Sequence, residues 1–136
     1  PLAENKGINI FFKADKNTAC YVVADREKTK LVIENLLSNS IKYTLNNGKV
    51  EIDIKKEEAN IIFNIKDNGV GIPEEQQNKI FEKFFRSDNV VKYQTEGTGL
   101  GLYIAKNIIQ QSRGEMWFKS KEKVGSVFSF SLPRAE

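Results

Sequence analysis

Apolar residues recur along this chain with two periods, and each change of period marks a new element. In "KVEIDIKKEE" Val50, Ile52 and Ile54 alternate with charged residues, which predicts a half-buried strand. "NIIFNIKD" (60–67) is its expected hairpin partner, with Ile61, Phe63, Ile65 and Asp67 on one face. "EMWFKS" and "GSVFSFSLP" predict a closing hairpin in which Phe128, Phe130 and Leu132 alternate with serines. "INIFFKA" (8–14) and "CYVVA" (20–24) read as short strands. The helical period follows Asp25, an expected N-cap, in "REKTKLVIENLLSNSIKYT", whose apolar face is expected at Leu31, Ile33, Leu36, Leu37 and Ile41. It returns from about Leu100 to Gln111, where Leu100, Ile104 and Ile108 are spaced four apart. "PEEQQNKIFEKFF" is expected to form a short helix with Pro73 at or near its start.

Other stretches lack either period. "NNG" (46–48) is a turn, and "DNGVGIP" breaks the strand before it. "SDNVVKYQTE" (87–96) is polar and aperiodic, which suggests a mobile loop. In "EGTGLGLYIAK" Gly97, Gly99 and Gly101 alternate immediately before a helix. Glycines allow close approach to the main chain, and a helix start offers unpaired N–H groups suited to phosphate. The mixture of hairpins and helices predicts an α/β fold: one domain over residues 1–136, with helices on one face of a mixed, largely antiparallel sheet.

Composition narrows the chemistry. The 136 residues suit a single core, and no apolar run approaches the ~18–20 residues that span a bilayer. The opening "PLAENKGINI" has neither a basic nor an apolar leader segment. Cys20 is the only cysteine, which excludes an internal disulfide and favours a reducing compartment. A net charge of +3, with lysines scattered among acids, does not make a nucleic-acid stripe. With no histidine there can be no Ser-His-Asp triad and no histidine-bearing metal site. Any metal must be a hard cation held by oxygen.

Asn35 and Asn39 share a helix face, with Lys42 and Tyr43 one turn on. An amide oxygen can ligate Mg²⁺ and a lysine can neutralise phosphate; two solvent-facing asparagines are the plainer alternative. Asp67 ends an apolar strand on its inner face, so its carboxylate needs a donor, which an adenine amine could supply. A turn-initiating aspartate would read the same way. Gly69 and Gly71 again invite close approach. Arg86 could reach a phosphate, and Ser126 falls on the inward parity of the last strand.

The order "ENLLSNSIKYT", "DNGVGI", "FEKFFR", "EGTGLGL" resembles the ATP-binding catalytic domain of sensor histidine kinases. These belong to the superfamily of gyrase, mismatch-repair ATPases and a heat-shock chaperone. The resemblance covers essentially the whole chain. It implies a two-layer α/β sandwich that binds ATP or ADP with Mg²⁺. It makes Asn39 the metal ligand with Asn35 beside it, and turns Lys42 and Tyr43 toward the phosphates. Asp67 would bind the adenine amine against a wall shaped by Gly69, Gly71 and Ile72, with Ser126 nearby. Arg86 would approach the γ-phosphate. Residues 87–96 would be the ATP lid, and Gly97, Thr98, Gly99, Leu100, Gly101 and Leu102 the phosphate cradle. The implied partners are a histidine-bearing dimerisation domain and a response regulator receiver domain, with no nucleic acid and no membrane contact by this segment. The implied location is cytoplasmic, with the anchoring of the parent protein left open.

Some positions depart from the wider superfamily. Its hydrolytic members carry a glutamate four residues before the metal-binding asparagine, and here that residue is Asn35. Glu34 lies about 100° round the helix. An amide is no general base, so phosphoryl transfer is expected rather than hydrolysis. Ser112-Arg113-Gly114 replaces the His-Gly-Gly of many relatives, which puts that helix end in question. The absent histidine means that the chain lacks its own phosphoacceptor. A regulatory nucleotide-binding module and a serine kinase of the anti-sigma type share the fold; "FEKFFR" and the final hairpin fit the histidine kinases better.

Overall fold

A computed structural model describes residues 7–13, 24–82 and 101–134. Its strands are β1 (Asn9–Lys13), β2 (Lys49–Lys56), β3 (Asn60–Asp67), β4 (Glu115–Lys121) and β5 (Gly125–Pro133). Two α-helices, α1 (Arg26–Tyr43) and α2 (Gly101–Gln111), and a 3₁₀ helix, Glu74–Lys79, complete the described elements. The five strands form one sheet in the order β1-β2-β3-β5-β4. β1 runs parallel to β2 and every other pairing is antiparallel.

The period-two strands behave as their sequence predicts. Val50, Ile52, Phe63, Ile65, Phe128, Phe130 and Leu132 face a core that the helices cover. Glu51, Asp53, Lys55, Asn64 and Lys66 occupy the opposite face. Phe63 stacks on Phe130 with centroids 5.1 Å apart, and Phe118 on Phe128 at 5.6 Å.

The expected helix faces hold in part: Leu36 and Ile108 are in the core and Ile33, Leu37 and Ile41 pack against it, but Leu31 and Ile104 do not. On α1 the buried stripe is Val32, Leu36 and Ser40, while Leu31 is 43% exposed. On α2 it is Ala105, Ile108 and Ile109, with Ile104 exposed. Both helices pack on the same sheet and on each other, so the face is set by two contacts rather than one. Asp25 caps α1 as expected, its carboxylate accepting the Lys28 N–H at 3.0 Å.

One further expectation needs correction, and one open question is answered. Within the expected helix, Glu74–Lys79 forms a 3₁₀ helix with no buried residue; its polar run supplies no apolar face to hold an α-helix. The end of α2 is a Schellman turn, with the Arg113 N–H bonded to the Gln110 carbonyl and Gly114 to Ile109. Arg113, not the glycine, takes the left-handed position, at φ 66°. Gly114 is needed one residue later, because a Cβ there would lie 1.9 Å from the Ser131 carbonyl oxygen. The expected strand at 20–24, apart from Ala24, the loop at 87–96 and Cys20 lie outside the described residues.

Candidate functional site

Asp67 is the last residue of β3, and strand alternation turns it inward beneath α1. Its carboxylate accepts the Gly69 N–H at 2.9 Å. It also takes the N–H of Ser126, its partner across β5, and the hydroxyl of Ser40 on α1. Burial pushes its carboxyl above the ordinary value of 3.8, against the pull of those three donors. A carboxylate offers about four lone-pair sites. Three donors therefore leave room for one more, and an exocyclic amine would fit.

The wall beside Asp67 is the loop 68–72, held at its middle residue on both sides. The Tyr43 carbonyl, closing α1, accepts the Val70 N–H at 3.1 Å, and the Lys123 N–H donates to the Val70 carbonyl at 2.7 Å. The glycines have a reason the sequence did not disclose. A Cβ on Gly69 would lie 2.3 Å from the Tyr43 carbonyl oxygen, and one on Gly71 would lie 2.1 Å from that of Lys121. The close approach they permit is to the chain's own backbone. Gly71 also sits at φ 68°, which disfavours a side chain independently. Ile72 is buried, and its N–H donates to the Ser120 hydroxyl at 2.8 Å.

Asn35, Asn39, Lys42 and Tyr43 are all half-buried on α1. Asn35 lies against the first turn of α2: a Cβ built on Gly101 would meet its amide at 3.9 Å, with nothing nearer. Asn39 directly precedes Ser40, the α1 residue that touches Asp67. Leu102 packs against the core cluster, so its side chain serves packing. The Ser126 hydroxyl has a protein partner, the Ser120 hydroxyl at 2.7 Å. Arg86, Gly97, Thr98, Gly99 and Leu100 lie outside the described residues.

Sequence reasoning missed Ser40, Ser120 and Gln77. Ser40 had a signal: it continues the four-residue spacing of Val32 and Leu36, and a polar residue on a buried stripe needs a partner. Ser120 shares the inward parity of Met116 and Phe118. Gln77 gave no signal, because only the tertiary fold brings it to Ser120.

Among the described residues no cluster of acidic or sulfur ligands could cage a metal. No described helix is long and apolar enough to cross a membrane.

Comparison with known proteins agrees with this architecture. Residues 24–136 match the family model described as histidine kinase-, DNA gyrase B-, and HSP90-like ATPase. Sensor histidine kinase WalK of Bacillus subtilis is 39% identical over 118 residues, covering 85% of this chain and 19% of WalK. The chain thus spans about a fifth of that relative's length. The solved catalytic domain of histidine kinase ThkA superposes with a TM-score of 0.82 at 33% identity, covering 98% of this chain and 85% of that one. Full-length ShkA in complex with AMPPNP gives 0.82 at 26% identity, covering 99% of this chain and 27% of ShkA. ThkA has also been solved in complex with the response regulator protein TrrA, with a TM-score of 0.77. By sequence and by fold, then, this chain belongs to the histidine kinase-, DNA gyrase B- and HSP90-like ATPases, as a catalytic domain of the sensor histidine kinase kind.

Proposed function

We propose that this domain binds Mg-ATP and passes its γ-phosphate to a histidine on a separate helical dimerisation domain of the same parent kinase. The observation that carries the reading is the buried Asp67 carboxylate, with acceptor capacity to spare. Asp67 accepts the adenine amine against the wall of Gly69, Gly71 and Ile72, with Ser126 on the far side. Asn39 holds the magnesium through its amide oxygen, and Asn35 supports it beside Gly101. Lys42 and Tyr43 flank the phosphates. Bound Mg-ATP supplies the phosphoryl group and the charge that polarises it.

The remaining roles rest on the family resemblance. Residues 97–102 seat the phosphates where α2 begins, Arg86 approaches the γ-phosphate, and residues 87–96 cover the nucleotide as a lid within a single domain, 1–136. After transfer, the phosphohistidine serves a response regulator receiver domain, as the ThkA–TrrA complex suggests by analogy. A kinase drawing on ATP and a receiver domain is placed in the cytoplasm.

The test is transfer in trans. The chain is mixed with γ-labelled ATP, Mg²⁺ and the parent's histidine-bearing domain, and acid-labile label is followed on that domain. Label is expected with the native chain and not with Asn39→Ala. Asn39→Ala should also weaken Mg-ATP binding more than metal-free ATP binding. Transfer undiminished by that substitution would remove Asn39 from the metal site; a native chain that never labels the histidine would overturn the kinase reading.

A further inference from the structure

Gln77 stands outside every motif of the sequence, yet it closes a ring of hydrogen bonds behind the proposed base site. Its amide nitrogen donates to the Ile72 carbonyl at 3.0 Å and to the Ser120 carbonyl at 2.9 Å. Both neighbours are acceptors, so only the nitrogen end of the amide can face them. The Ile72 N–H in turn donates to the Ser120 hydroxyl at 2.8 Å. Both backbone groups of Ile72 are therefore tied to β4, one directly and one through Gln77.

The chain of contacts continues inward. The Ser120 hydroxyl meets that of Ser126 at 2.7 Å and the Gly125 carbonyl at 3.2 Å. Ser126 lies opposite Asp67 in the sheet register and gives its N–H to the carboxylate. An unbroken path thus runs from a polar 3₁₀ helix to the buried carboxylate. The helix buries none of its residues, so these bonds are a principal tie between it and the sheet.

We propose that Gln77 is a positioning residue for base recognition: by clamping Ile72 to Ser120, it sets the loop 68–72 and the Ser126 hydroxyl against the adenine ring. The proposal rests on the ATP-binding reading above. It assigns Gln77 no contact with the nucleotide. Its effect should therefore fall on the base end of the ligand and leave the phosphate end untouched. It should also pass through Ser120.

Gln77→Glu is the sharp substitution, because it sets a carboxylate against two carbonyl oxygens with nothing to donate. Binding of ATP, of adenosine and of inorganic tripolyphosphate with Mg²⁺ is measured by calorimetry on the native and variant chains, with thermal unfolding followed alongside. ATP and adenosine affinity should each fall about tenfold, the scale of a broken buried hydrogen bond, while tripolyphosphate affinity holds. Gln77→Leu, which removes the donor without adding charge, should give a smaller loss of the same pattern should the glutamate variant not fold. Combined with Ser120→Ala, the Gln77→Leu loss should be less than the sum of the two single losses. Equal falls for all three ligands, or strict additivity with Ser120→Ala, would reduce Gln77 to a general structural role. Unchanged ATP binding in both Gln77 variants would overturn the proposal. A native chain that binds neither ATP nor adenosine would instead overturn the reading beneath it.

Discussion

Asp67 combines two opposed demands. Burial disfavours its charge, and three donors restore it, the balance leaving the carboxyl above its ordinary value of 3.8. The folded chain therefore holds this proton more tightly than the unfolded chain. The contribution of Asp67 to stability falls as pH rises from about 4 through the raised folded value, and returns on acidification across the same window. ATP binding should run the other way, since protonation takes an acceptor from the base site. Urea unfolding and ATP titration over that pH range should show the two trends with opposite sign, and Asp67→Asn should flatten the binding trend. That variant should also cost roughly 1–3 kcal/mol of ATP affinity. GTP presents a carbonyl where ATP presents an amine, so it should bind poorly to the native chain; equal affinities would remove Asp67 from base recognition.

The ends of the elements show where sequence chemistry and tertiary packing meet. α1 is capped by Asp25 at its start, and at its end Thr44 returns both its N–H and its hydroxyl to the Ser40 carbonyl. α2 ends on Arg113 in a conformation that favours glycine, because the glycine of this turn is required one position on by Ser131. Arg113→Gly should relieve the left-handed residue and raise stability by about 0.5–1 kcal/mol, net of the added chain entropy. A higher urea midpoint with unchanged ATP affinity is the expected result; a lower midpoint would mean that the exposed arginine contributes more than its backbone costs. Phe81 marks another junction. Its ring meets Phe118 edge-on at 5.7 Å while the Lys106 ammonium lies 4.4 Å over its face, joining β4 to α2.

For the molecule as a whole, the spatial placement of Asn35 bears on the choice between hydrolysis and transfer. Its amide lies near Gly101, and Glu34 beside it is exposed. A positioned general base is worth about 10²–10⁴-fold in rate. Without one at Asn35, the isolated chain should turn over ATP far below the ~1–10³ s⁻¹ of ordinary enzymes. A steady-state phosphate-release assay checks this, and a turnover within that range would favour an ATPase over a phosphotransferase. With no histidine in the chain, the transfer proposed above would need a histidine supplied from outside it.

Local order determined much of this protein. Period-two alternation sufficed to assign β2, β3 and β5 with their apolar faces, because a strand has only two faces and the apolar one turns to the helices; in β5 the serine face is largely buried as well. The same parity placed Asp67 and Ser126 inside, and helix spacing placed Asn35 and Asn39 together. Only the tertiary structure decided where the edge of each helix's buried stripe falls. A helix offers many faces, and contact with both sheet and neighbour shifted the choice from Leu31 to Val32 and from Ile104 to Ala105. It likewise decided why Gly69 and Gly71 must be glycines, since the carbonyls of Tyr43 and Lys121 that crowd them come from distant parts of the chain. Ser40, Ser120 and Gln77 acquired their roles in the same way. A hydrogen bond between residues 43 positions apart, such as that of Gln77 to Ser120, leaves no periodic trace; it exists only once the sheet and the 3₁₀ helix have been brought together.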